Sequence, residues 1–162
     1  MTSFFITNEF SILSTGYNSE GQLGLGHHEE RKFFVEINSD KHFLAISSSC
    51  SHTLALDDQG YIHSCGKNNR GRLGLGDNDD RNEMVKIESN IHFVSIACGC
   101  NHSVALDNKG YIYSFGHNYH GQLGLGHNED RYTPIRIESD KIFVAIACSD
   151  DHTVVLDDEG SV

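Results

Sequence analysis

Three histidines pose the first chemical question. His52, His102 and His152 stand fifty residues apart, each followed by Thr or Ser, and a histidine beside a hydroxyl is what a general base and its nucleophile require. A catalytic pair is singular and needs an acid to orient it. A histidine that recurs at fixed spacing reads instead as part of a unit's own hydrogen bonding. Cys98, Cys100 and His102 form C-x-C-x-H. Zinc sites space a cysteine pair by about two to four residues and add a second ligand pair, and alternate residues of one strand spread their side chains apart. Cys50 and Cys148 each repeat half of that pattern, as small core residues do. Asp77–Asn78–Asp79–Asp80 gathers oxygens but lacks the glycine and final glutamate of a calcium-binding EF-hand loop. Lys67 follows Gly60 and Gly66, but the glycines are one residue too far apart for a phosphate-binding loop, and no Ser or Thr follows the lysine. No G-x-S-x-G occurs. No catalytic residue, cofactor-binding residue or metal ligand is therefore assigned.

Charged groups are read in the same way. Arg31, Arg81 and Arg131 each follow an acidic loop at the same position, which predicts an inter-blade salt bridge or a clamp on carbonyls rather than anion binding. His27, His28 and His127 lie beside Glu29, Glu30 and Glu129 and read as exposed loop residues. The 162 residues carry 12 Lys and Arg against 23 Asp and Glu, a net charge of −11. Residues 11–60 hold 7 acids and 3 bases, 61–110 hold 6 of each, and 111–160 hold 9 and 3. The middle segment alone has the basic group Lys67, Arg70 and Arg72. Such an acidic balance argues against a nucleic-acid backbone as partner. Acids at Asp57–Asp58, Glu129–Asp130 and Asp157–Asp158–Glu159 suit a basic protein face. No apolar run reaches the roughly 20 residues of a membrane span. The start, MTSFFITNEFSIL, lacks a basic region, so no signal peptide is expected. The five cysteines are accordingly expected to be free thiols in a reducing compartment, cytoplasmic or nuclear, with no disulfide and no bound metal.

The elements that position these residues follow from an internal repeat. Of 16 glycines, 15 fall on five positions that recur every fifty residues, among them Gly16/Gly66/Gly116 and Gly21/Gly71/Gly121. Leu23, Leu25, Ile37, Phe43, Ile46, Leu56 and Asp57 recur in the same step, without insertion from residue 11 to 160. The apolar period within a unit is two. His102–Asp107 and Tyr111–Phe115 flank a glycine-containing turn as a hairpin. Met84–Glu88 and Ile91–Cys98 read as two more strands, and Gly116–Gly126 reads as a glycine-rich connection between units. The expected fold is all-β: four-stranded antiparallel units of the β-propeller type, about three blades, in an open or partial propeller. The division is 11–60, 61–110 and 111–160 within one repeat domain, 1–162. Residues 1–10 form a degenerate leading strand, with Phe4–Phe5–Ile6 pairing with Ser11–Ser14.

Tryptophan is absent, which excludes WD40 units, and the adjacent glycine pair of kelch units is missing. GHNYHGQLGLGHNEDRYTP (116–134), IFVAIACSDDHTVVLDDEG (142–160) and GYIYSFG (110–116) resemble the repeats of the regulator of chromosome condensation family, over residues 11–162. That family's blades read G-x-N-x-x-G-Q-L-G-x-G, then H-T-x-x-L, then G-x-hydrophobic-x-S-W-G. Its usual tryptophan is here Thr15, Cys65 and Phe115, and its members usually close seven blades.

The resemblance implies a propeller that presents loops to a protein partner, and the expectation is a non-enzymatic interaction scaffold without cofactor. The alternative is guanine-nucleotide exchange on a small GTPase, or a fragment of a larger protein of this family such as a ubiquitin-ligase subunit. Exchange in the family uses an inserted β-wedge, and no insertion interrupts the register here, so no exchange residues are carried over. The basic termini of chromatin docking and the clustered tryptophans of ultraviolet sensing are likewise absent. Three units leave two open ends, which predicts a head-to-tail homodimer closing a six-bladed ring.

Overall fold

The protein is described by a computed structural model over residues 2–162. Thirteen strands are found among these residues. They are β1 (Thr2–Ile6), β2 (Ile12–Gly16), β3 (Arg31–Glu36), β4 (Phe43–Ser48), β5 (His52–Asp57), β6 (Ile62–Gly66), β7 (Arg81–Lys86), β8 (Phe93–Cys98), β9 (His102–Asp107), β10 (Ile112–Gly116), β11 (Arg131–Arg136), β12 (Phe143–Cys148) and β13 (Thr153–Asp157). They form antiparallel sheets in chain order: β1–β2–β3, β4–β5–β6–β7, β8–β9–β10–β11 and β12–β13. The only helical element described is a 3-10 turn at Asn69–Gly71. Among the described residues no helix is long and apolar enough to cross a membrane.

The sheets are blades set face to face, β8 lying against β4 and β5 and β12 against β8 and β9. Each blade's phase differs from that of the sequence unit. A unit such as 11–60 supplies the two outer strands of one blade and the two inner strands of the next, so two complete blades are flanked by a three-stranded and a two-stranded sheet. The glycine-rich segment is correspondingly not a connection between units. It joins the third and fourth strands of one blade, β6 to β7 and β10 to β11. Sequence period fixes the spacing of equivalent residues but not where a sheet starts, because hydrogen bonding between strands decides that.

Burial follows from the stacking. β5 and β9 are buried along their whole length because a blade covers each face. Ile12, Ile37, Phe43 and Ala55 pack between the first two sheets. Leu54, Leu56, Ile87, Phe93 and Phe115 form the core between the two complete blades. Val104, Leu106 and Ile112 pack toward Phe143 and Val155 of the last sheet. Cys65 and Phe115, two of the residues at the family's tryptophan position, are fully buried.

Candidate functional site

The recurring histidines join blades. His52 Nε2 lies 2.9 Å from Ser103 Oγ, and His102 Nε2 lies 2.9 Å from Thr153 Oγ1. Ser103 Oγ itself donates to Arg72 O at 2.8 Å and Thr153 Oγ1 to Gln122 O at 3.1 Å. With their protons engaged there, the hydroxyls accept from the histidines, so each imidazole carries its proton on Nε2. Burial pushes His52 down to about 3 and His102 down to about 4, because the charged form would lose its hydration. Their Nδ1 atoms are buried without a partner. Each is a neutral crosslink, not a base beside a nucleophile. His152, the third of the series, is exposed.

The cysteines depart from expectation. Cys50 and Cys100 form a disulfide, with Cα atoms 5.3 Å apart, so only Cys65, Cys98 and Cys148 are free. The expectation of five free thiols and no disulfide is corrected on a geometric ground. Cys50 and Cys100 occupy one repeat position in the turn between the first two strands of adjacent blades, where equivalent residues come together. C-x-C-x-H does not converge: Cys98 is buried with Sγ donating to Ser47 O, Cys100 is oxidised, and His102 serves the next blade. Burial raises Cys98 to about 12 and Cys148 to about 11, which keeps both thiols protonated and inert. Asp150 completes a cluster with Cys50 and Cys100 within 4.8 Å. The two sulfurs are bonded to each other, which leaves one carboxylate free to ligate.

The loop arginines act inside their own loops. Arg31 pairs with Glu29 at 3.0 Å, Arg81 with Asp77 at 2.6 Å and Arg131 with Glu129 at 3.1 Å. They also reach the carbonyls of Glu30, Asp79 and Asp130. The clamp on carbonyls is present; the inter-blade salt bridge is not made by these residues. It is made by Arg70 with Asp130 at 3.0 Å and Lys67 with Glu20 at 3.7 Å. Arg72 is buried and donates to Ser51 Oγ and Cys100 O. The basic group of the middle segment is thus a set of blade-to-blade contacts. His27 and His127, expected as plain loop residues, touch the guanidinium groups of Arg31 and Arg131.

Sequence reasoning missed the buried asparagines Asn18, Asn68 and Asn118. Each accepts the N–H of Leu23, Leu73 or Leu123 at 2.9 Å and donates back across its glycine-rich loop. Their recurrence at fifty was the available signal. Asp77 Oδ1 and Asp80 Oδ1 accept from Asn68, and Asn78 Oδ1 accepts from Arg70 N, so three of the four oxygen-bearing side chains of this run are engaged within the loop, and Asp79 is exposed. Asp57 and Asp107 are buried turn residues, each accepting two backbone N–H groups on one oxygen. Asp57 also takes His63 Nε2 at 2.9 Å. The acids that remain exposed on the glycine-rich loops are Glu29, Glu30, Asp79, Asp80 and Glu129. These loops lie at one end of the blades, beside the turns that carry Cys50 and Cys100, as Lys67 N donating to Ser51 O shows.

The family described as Regulator of chromosome condensation (RCC1) repeat matches residues 11–56, 59–106 and 109–156, and a second description of the same repeat matches 43–72 and 93–122. A comparison with curated proteins gives no match. Among solved structures, Prp20p of Saccharomyces cerevisiae, studied with its binding to Gsp1p and histones, superposes with a TM-score of 0.83 at 24% identity. That match covers 98% of this chain and 43% of the other. Yeast RCC1 (Prp20) bound to Kap60 gives 0.82 at 24% identity, covering 98% and 41%. Human WBSCR16 gives 0.57 at 22% identity, covering 96% and 55%. The chain spans less than half the length of the yeast proteins it matches. It belongs to the regulator of chromosome condensation (RCC1) repeat family.

Proposed function

We propose that this RCC1-repeat chain is a non-enzymatic scaffold that binds a basic protein face through the acidic loops at one end of its blades, inside the cell in cytoplasm or nucleus. The observation that supports it is the allocation of polar groups. His52 and His102, the buried Asp57 and Asp107, the buried asparagines and Lys67, Arg70 and Arg72 are engaged within or between blades, whereas Glu29, Asp79 and Glu129 are exposed at one repeat position, Glu29 and Glu129 each meeting only the arginine of its own loop. A rigid β scaffold with exposed loops of one sign favours association by charge complementarity. The yeast neighbour is described by its binding properties to histones, which are basic proteins. The expected result is retention of a basic protein that falls steeply with salt, and loss of retention in the triple variant Glu29→Gln/Asp79→Asn/Glu129→Gln. Salt-independent retention would overturn the charge reading.

Nucleotide exchange on a small GTPase is the second reading, favoured by family membership. Selective capture of a nucleotide-free small GTPase, with accelerated release of a fluorescent guanine nucleotide, would replace the scaffold reading with exchange.

A further inference from the structure

The turns between the first two strands of three successive sheets are built alike. A backbone bond closes each one: Ser49 N to His52 O at 3.1 Å, Gly99 N to His102 O at 2.9 Å and Ser149 N to His152 O at 3.0 Å. The next residue in each turn is Cys50, Cys100 or Asp150, fifty residues apart. Their two sulfurs and a carboxylate oxygen lie within 4.8 Å of one another. Cys100 meets Asp150 twice, since its N–H donates to Asp150 O at 2.9 Å and its Sγ stands 3.3 Å from Asp150 Oδ1. In the disulfide that sulfur has no proton to donate, so the carboxylate is held beside an atom with which it makes no hydrogen bond.

A gap of about 220 Å³ next to this cluster is lined by Cys50, Cys100, Lys67 and Arg72 among others. Arg72 stands where the other two units have Gln22 and Gln122. It is buried, and its guanidinium donates to the neutral oxygens of Ser51, Asn69 and Cys100. Among the described residues it forms no ion pair, which leaves a buried positive charge without an anionic partner at the edge of the cluster.

We propose that Cys50, Cys100 and Asp150 are the ligands of a zinc site that reduction opens and oxidation closes. Two equivalents of a small thiol cut the S–S bond. Each protein sulfur then carries a proton, and the small thiols leave joined as their own disulfide. Zinc displaces the two thiol protons to solvent and is held by both sulfurs and one Asp150 oxygen, with water as fourth ligand. A small disulfide reverses this: the Cys50–Cys100 bond re-forms, the small disulfide takes up two electrons and two protons as two thiols, and zinc is released. Ligands of one tetrahedral zinc stand about 3.3–3.8 Å apart, given bonds of about 2.0–2.3 Å, so atoms already within 4.8 Å reach it by side-chain rotation. Thiolate donors favour zinc over calcium or magnesium. Two thiolates and a carboxylate give the ion one surplus negative charge, which Arg72 offsets while holding the Cys100 carbonyl. The disulfide ties two sheets, and the ion ties three. The ligands lie across blades, so no zinc spacing is visible along C-x-C-x-H. The site uses none of Glu29, Asp79 and Glu129 and is independent of the acidic-loop reading.

Zinc titration of the full chain against a chromophoric chelator tests this, on protein reduced and then freed of reductant under anaerobic conditions. One equivalent is expected to bind the reduced chain and none the oxidised chain, and an added small disulfide is expected to release it. Cobalt(II) in place of zinc is expected to show the visible bands of a tetrahedral ion with thiolate-to-metal charge transfer. Cys50→Ser, at an exposed position, is expected to abolish binding. Asp150→Ala keeps the backbone bond to Cys100 and is expected to weaken binding by more than the roughly tenfold that loss of an outer-shell partner costs. Cys148→Ser is expected to bind as the unmodified chain does, because that thiol lies outside the cluster. Failure of the reduced chain to take zinc from the chelator overturns the proposal, as does binding that survives in the Cys50→Ser/Cys100→Ser variant. A reduced chain that loses its circular dichroism and does not regain it with zinc overturns it too. Unweakened binding by Asp150→Ala overturns the three-ligand assignment.

Discussion

His52 and His102 make folding respond to acid. Both are held neutral in the folded chain, down to about 3 and about 4, while an unfolded histidine titrates near 6.5. The unfolded state therefore binds more protons as pH falls below 6.5, and each pKa unit of difference is worth about 1.4 kcal/mol. Their contribution is complete above pH 6.5 and is lost progressively as pH falls toward 4. Melting temperature should drop over that window. His52→Gln, which keeps an N–H donor but cannot titrate, should lower the slope by about one proton; an unchanged slope would show that the histidine latch does not carry it. The thiols give a second residue-scale prediction. Denatured without reductant, the protein should yield three titratable thiols, rising to five with reductant, in accord with the Cys50–Cys100 bond. The loop it closes spans 50 residues, for which the chain-entropy model gives up to about 4 kcal/mol. Reduction should lower the melting temperature, and Cys50→Ser should make it insensitive to reductant.

At the scale of the element, the hairpin turns depend on one carboxylate each. Asp57 accepts Gln59 N, Tyr61 N and His63 Nε2 while itself buried. Asp57→Ala would strand these donors and should cost about 2–4 kcal/mol by denaturant titration. Thr7 takes the aspartate's place in the leading hairpin, its Oγ1 accepting from Glu9 N and Ser11 N at 3.2 Å, so Thr7→Ala should cost less. The glycine-rich loop offers a contrast between equivalent positions. Gly121→Val carries only the cost of a β-branched residue at φ +77° in the single chain, on the order of 1–3 kcal/mol. Gly71→Val adds a collision with Tyr132 and should destabilise more. Equal losses at the two sites would mean that blade contact at the loop does not matter.

Across the whole molecule, stability should fall from the middle outward. The two complete blades are covered on both faces, while β1 and β12–β13 belong to incomplete sheets. In repeat proteins each unit is stabilised by its neighbours, so amide hydrogen exchange should be slowest in β5, β6, β9 and β10. It should be fast in β1 and β13, which belong to the incomplete sheets. Uniform protection would contradict this gradient.

The residues Gly16 to Gly160, recurring in step, determined by themselves the repeat, the period-two strands, the propeller-type blades and the family, because backbone conformation and side-chain alternation are local properties written along the chain. The same residues marked His52 and His102 as structural, since a group present in every unit serves the unit. What the tertiary structure decided was which equivalent positions meet. It shifted the blades by half a unit against the sequence repeat, and it brought Cys50 to Cys100 at the turn between the first two strands. It also moved the inter-blade ion pairs from Arg31, Arg81 and Arg131 to Lys67 and Arg70, and engaged Asp57 and Asn68 inside turns that composition alone reads as acidic and polar surface. The physical reason is that a repeat fixes distance along the chain, whereas disulfides, ion pairs and buried hydrogen bonds depend on distance across neighbouring blades, which only their packing sets.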